Sequence, residues 1–190
     1  MTHVSQNNSE ADCFRVYKNE IYVHASAVFR FAKSLTKDRQ RGEDLMQDVM
    51  IKAFNSIDQY TEGTNAKAWL MRICFNMFVN EERKNKRQPQ SSLEKNDLQR
   101  LSDAREEQQE YDAYNDEVLR ALSALREDYR AVFILAVEGY QYAEIAEITG
   151  YKLNTVRTKI RRARLQLAKN LADYGRSLGY GLDTNLDLDA

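Results

Sequence analysis

Tyr142-Ala-Glu-Ile-Ala-Glu-Ile-Thr-Gly150 followed by Asn154-Thr-Val-Arg-Thr-Lys-Ile-Arg-Arg-Ala-Arg164 decides the reading of this chain. A short apolar helix, a glycine stop and a second helix with one greasy stripe describe a helix-turn-helix. With Val156 at zero on a helical wheel, Ile160, Ala163 and Leu167 fall within about 40° of it at 100° per residue, so this stripe packs inward. Arg157, Thr158, Arg161 and Arg162 point away, Lys159 and Arg164 flank them, and Leu165 also lies on the outward side. Asn154 or Thr155 is placed to cap the helix. Seven bases and no acid lie between Lys152 and Lys169, in a chain whose formal net charge is −1. Charge concentrated in this way points to a polyanion, with nucleic acid first. If this helix neutralises about five phosphates, a log–log salt slope of roughly −4 to −5 is expected.

The rest of the composition narrows the class. The chain has 190 residues, with one proline, seven glycines, 43% hydrophobic and 30% charged residues. Scarce helix breakers and long periodic segments predict an all-α protein. No apolar run is long enough to span a bilayer and no signal peptide is evident, so a cytoplasmic location is expected. Cys13 and Cys74 are too few for a disulfide framework and lack metal-ligand spacing. Cys74, in an apolar helical stretch, reads as a small buried hydrophobe, with redox sensing the alternative.

Apolar periodicity covers residues 14–35. Gly42 then interrupts, and Glu43–Ile57 reads as a second helix. A polar loop, Asp58–Asn65, precedes a long helix from Ala66 to about Lys86, which stops before Pro89. Residues 88–117 carry nine acids against three bases, a net of −6, and read as a linker without a core of its own. Helical periodicity resumes from Val118 to Tyr174. Two small helical domains are therefore expected, at 14–87 and 117–174, joined by an acidic linker at 88–116. A disordered N-terminus (1–13) and a flexible acidic tail (175–190) flank them. Each module is near the lower size limit for an independent core.

The N-terminal module carries a second polar face. Arg72, Asn76, Asn80, Arg83 and Arg87 fall within about 80° of one another, forming a stripe of bidentate donors. Trp69, Leu70, Ile73 and Met77 form the adjacent apolar face, read as core. The preceding loop offers Tyr60, Thr61, Glu62 and Asn65, groups suited to holding an unstacked base. Asp44 and Asp48 lie at i, i+4 with Gln47 beside them. The chain has two histidines, no Glu-x-x-His, no phosphate-cradling glycine loop and no nucleophile arrangement. No enzyme, cofactor or metal site is therefore expected, and the acidic patch is read as a docking face for a basic partner helix.

Together these segments resemble an extracytoplasmic function sigma factor, the two-domain branch of the bacterial RNA polymerase sigma family. Asp44-Leu-Met-Gln-Asp-Val-Met-Ile-Lys-Ala-Phe54 is similar to the acidic-Gln segment of region 2. Ala68-Trp-Leu-Met-Arg-Ile-Cys-Phe-Asn76 is similar to its tryptophan-containing helix, and Glu138–Arg164 to the region 4 signature. The resemblance implies that Asp44, Gln47 and Asp48 bind the beta-prime clamp of core polymerase, with the beta flap as a further contact. It implies that Tyr60, Asn65, Arg72, Asn76, Asn80 and Arg83 face the minus-ten element. It assigns Asn154, Thr155, Arg157, Thr158, Lys159, Arg161, Arg162 and Arg164 to the minus-thirty-five element. It further implies transcription initiation from a stress or envelope-signal regulon under an anti-sigma factor. The competing classes are a stand-alone operator-binding regulator and an interaction adaptor with an incidental basic helix.

Overall fold

The computed structural model describes residues 12–87 and 116–177, and the linker and tail expectations lie largely outside them. Every regular element among the described residues is helical. Residues 12–16 are already helical, followed by a π turn at Tyr17–Ile21 and a 3-10 turn at Tyr22–His24. The first long helices are α1 (Ala25–Thr36), α2 (Arg39–Phe54) and α3 (Ala66–Arg87), with a 3-10 turn at Ile57–Gln59 between α2 and α3. The C-terminal half contributes α4 (Asp116–Ser123), α5 (Glu127–Val137), α6 (Tyr142–Thr149), α7 (Leu153–Asn170) and α8 (Ala172–Ser177).

Gly42 does not interrupt. It lies inside α2, which starts four residues earlier than the pattern suggested and ends at Phe54. The start is set by Asp38, whose side chain accepts from the Arg41 backbone N–H at 2.7 Å. Gly42 is buried, where α2 crosses α1. A Cβ there would lie 2.8 Å from Lys33 Cα, so glycine serves close backbone approach and not helix breaking. Gly42→Ala is expected to lower stability by about 1–3 kcal/mol through overpacking, measurable by urea unfolding at unchanged m-value. At Gly150 the reason is different. This residue caps α6 with φ +71, the left-handed conformation that L side chains rarely adopt, and so turns the chain into α7.

On α3 the deepest positions are Leu70, Met71, Cys74, Phe75 and Phe78. Trp69, Ile73 and Met77 are only partly buried, so the core face is rotated toward Met71 and Phe75 relative to the expected one. The rotation follows from what α3 packs against, since its neighbours include α6 as well as α1 and α2. The two modules share a core, beside a smaller cluster of Ala121, Leu125, Ala163 and Leu167 within the C-terminal half. One continuous apolar cluster runs from Val28, Phe31, Leu70 and Phe75 into Val132, Leu135, Ile145, Ile148 and Ile160. Modules too small to bury enough surface alone gain it by docking on each other.

The seam between them centres on Arg130, 1% exposed. Its guanidinium donates from Nε to the Ser34 carbonyl at 2.5 Å and from a terminal nitrogen to the Leu35 carbonyl at 2.7 Å. The other terminal nitrogen donates to the Leu125 carbonyl at 2.9 Å. Burial lowers its pKa to about 10, which leaves it charged at neutral pH. The cation therefore sits on the negative C-terminal pole of α1. Phe75 meets Tyr151 edge-on with centroids 5.8 Å apart, and Lys67 pairs with Glu138 at 2.9 Å.

Candidate nucleic-acid interface

Helix α7 buries Val156, Ile160, Ala163 and Leu167, as the wheel predicts. Its N-cap is Lys152, without a side-chain cap. Neither Asn154 nor Thr155 caps it, because the helix has already begun at Leu153. Asn154, Arg157, Thr158, Arg161, Arg162 and Arg164 are exposed, and Thr155 is half-buried. Tyr129 and the outward residues Asn154, Thr155, Thr158, Lys159 and Arg162 line a shallow notch of about 290 Å³. Arg162 donates to the Tyr129 hydroxyl at 3.2 Å.

Lys159 departs from the expectation. Its ammonium pairs with Asp128 of α5 and lies 5.1 Å from the Tyr129 ring centroid and 4.8 Å from that of Tyr151. Burial opposes ionisation of Asp128, but the Lys159 hydrogen bond and charge outweigh it and hold the carboxyl below its ordinary range. A lysine committed in this way organises the helix-turn-helix and is a poor phosphate ligand. The α7 sequence contains no acid to pair with it, so the partner arriving from α5 was invisible in the helical pattern.

The second face is on α3, where Arg72, Asn76, Asn80, Arg83 and Arg87 are all exposed or nearly so and line one side of the helix. Arg83 lies near enough to Tyr151 for its charge to act on that phenol, whose pKa burial raises. The end of the α3 stripe therefore sits beside the helix-turn-helix turn. Asn65 is exposed, and its Oδ1 accepts from the Ala68 backbone N–H at 3.0 Å, capping α3. Tyr60 is a correction. It is buried, its ring 5.3 Å from that of Trp69, and its hydroxyl donates to Glu20 at 2.6 Å. A ring packed on Trp69 with its hydroxyl occupied shapes the loop and offers no free stacking surface. Thr61, Glu62, Gly63 and Thr64 remain exposed around it.

Asp44, Gln47 and Asp48 lie together on α2, all three exposed. Ile51, one turn further along the same face, is 60% exposed. Reading only for charge missed this apolar member, although the i, i+3, i+4, i+7 spacing points to it.

Cys74 is buried, and burial pushes its pKa to about 12. At pH 8 almost none is thiolate. A thiol-specific disulfide reagent is expected to count one thiol in the folded chain, Cys13, and two after denaturation. Among the described residues no group of histidine, cysteine and acidic side chains is placed to hold a metal, and no helix is long and apolar enough to cross a membrane.

Comparison with known proteins agrees with this layout. The Sigma-70 region 2 family matches residues 21–88, and the Sigma-70 region 4 family matches residues 115–167. The ECF RNA polymerase sigma factor SigE of Mycolicibacterium smegmatis is 36% identical over 154 residues, covering 80% of this chain and 60% of that relative's length. RNA polymerase sigma factor SigV of Bacillus subtilis is 31% identical over 152 residues, covering 77% of this chain and 87% of that protein. Among solved structures, the sigma factor RpoE in complex with the anti-sigma factor NepR, from Bartonella quintana, aligns with a TM-score of 0.67. That alignment has 29% identity and covers 82% of this chain and 96% of that one.

Proposed function

The chain belongs to the extracytoplasmic function sigma factors of RNA polymerase, and from that membership we propose that it docks on core polymerase, grips two promoter elements and assists strand opening. The observation that carries this reading is the coexistence of two separate exposed donor faces with an acidic face in one chain. A stand-alone operator-binding regulator would need only α7. It would leave the α3 stripe and the Asp44, Gln47, Asp48 and Ile51 face unused.

In this reading α7 enters the major groove at the upstream element. Asn154 and Thr155 are nearest the base edges, and Arg157, Arg161, Arg162 and Arg164 hold phosphates. Arg72, Asn76, Asn80 and Arg83 line the path of the melted strand, with Asn65 at its loop end. Holding a base out of the stack costs a few kcal/mol, which charge-assisted contacts along α3 would offset. Asp44, Gln47, Asp48 and Ile51 form the seat for the polymerase clamp, charge at one end and an apolar anchor at the other. The functional units are residues 14–87 and 117–174, with the acidic linker as their tether, and the protein works in the cytoplasm by binding rather than catalysis. The RpoE similarity supports an anti-sigma partner for this chain too.

Run-off transcription with purified core polymerase tests the reading. A promoter-dependent transcript is expected, and absence of both transcript and stable core complex would sink it. Asp44→Ala with Gln47→Ala is expected to weaken core binding by about tenfold or more while leaving DNA binding by the full chain unchanged. Native gel titration with core separates the two effects.

A further inference from the structure

Between the two halves lies an apolar groove of about 660 Å³ that the proposed contacts touch only at its edge, through Arg164. Phe31 of α1, Leu119 of α4, Phe133 and Val137 of α5 and Leu165 of α7 line it. Three of these are large hydrophobics left open to solvent: Leu119 is 45% exposed, Val137 59% and Leu165 46%. Leu165, the outward leucine of an otherwise basic face, belongs here. Arg30 and Arg164 stand on the rim. Among the described residues Glu138 is the one carboxylate lining the groove, and it already faces Lys67 at 2.9 Å and Arg30 at 3.9 Å. Unpartnered leucines, a valine and an arginine rim call for an occupant that is apolar and acidic together.

We propose that residues 178–190 of this chain occupy that groove, laying their leucines on its apolar lining and their aspartates against the arginine rim. The segment Leu178-Gly-Tyr-Gly-Leu-Asp-Thr-Asn-Leu-Asp-Leu-Asp-Ala190 contains four leucines, one tyrosine and three aspartates, with no base. It follows α8, which ends at Ser177 and begins directly after Leu171, itself a lining residue. Thirteen residues reach about 20 Å as a helix and about 40 Å extended, ample to cross the groove. Gly179 and Gly181 allow the chain to turn back after α8. The groove has walls from both halves of the molecule, so its occupant bridges α1 to α4, α5 and α7. Tethering removes most of the association cost that a separate peptide of this size would meet.

The test uses the full chain with Cys13→Ser and Asn185→Cys, a nitroxide on the introduced thiol and isotope-labelled methyl groups, Cys74 being too buried to react. The methyl resonances of Leu119, Val137 and Leu165 are expected to broaden and to recover when the nitroxide is reduced. Replacing Asp183, Asp187 and Asp189 with lysine alters none of the described residues, and it is expected to abolish the broadening. Broadening centred elsewhere, or none, overturns the proposal. It is equally overturned if broadening appears in a mixture of isotope-labelled chain without nitroxide and nitroxide chain without isotope, since the occupant would then be a second copy. Insensitivity to the three lysines overturns it as well. None of these readouts involves polymerase or DNA, so the outcome is independent of the proposed function.

Discussion

Arg130→Ala is expected to cost about 3–5 kcal/mol, the sum of three abandoned carbonyls and the cavity left by a large side chain. In a chain of this size that corresponds to a fall in melting temperature of about 10 °C. The carbonyls of Ser34, Leu35 and Leu125 currently receive all three arms of the guanidinium, at a position only 1% exposed. Two of the three belong to the other half of the protein. The loss should therefore appear as parting of the halves as well as lower stability, seen as a larger radius of gyration in X-ray scattering. Arg130→Met refills most of the volume but satisfies no carbonyl, so it should recover part of the stability and little of the closure. Arg130→Lys keeps the charge, yet a point ammonium lacks the planar fork, so it should restore more closure than methionine and less than arginine. A variant that melts and scatters like the parent would show that the apolar cluster alone holds the seam.

The second large effect is on DNA. With Lys159 committed to Asp128, four arginines of α7 remain for phosphate, and the expected salt slope becomes about −3 to −4 rather than −4 to −5. Replacing Arg157, Arg161 and Arg162 with alanine is expected to reduce the slope to about −1 and weaken DNA binding on the order of 100-fold near 0.15 M salt. Lys159→Ala should leave the slope nearly unchanged, and it should lower stability because Asp128 is stranded half-buried beside two rings. Fluorescence anisotropy across a salt series reads the slopes, and thermal melting reads the stability. A slope reduced by Lys159→Ala as much as by any arginine would return that lysine to the phosphate-binding set.

The residues that the sequence made legible share one property: their role is set within their own helix. The inward stripe of α7, the polar stripe of α3 and the cluster Asp44, Gln47 and Asp48 all follow from spacing of three and four, and all are placed as read. Gly42, Tyr60, Lys159, Leu165 and Arg130 were misread or passed over because a second element decides each of them. Gly42 answers to the Lys33 backbone across a helix crossing, Tyr60 to Trp69 and Glu20, and Lys159 to Asp128. Leu165 faces a groove whose other walls come from other helices. Arg130 offers only one signal, a lone base directly before the apolar run Ala131–Val137 of α5. A wheel cannot say that its partners lie 95 and 96 residues earlier.

The choice of partners at Arg130 has a consequence for how this contact can change over time. The guanidinium addresses main-chain oxygens, so α1 takes part through its peptide groups and not through the identities of its side chains. Ser34 could be exchanged for many residues without removing the acceptor it offers. Only loss of the helix end, or of the arginine itself, would release the grip. Selection thus has one side chain to preserve where a salt bridge would require two to vary in step, and the surface of α1 beside the seam is left free to drift.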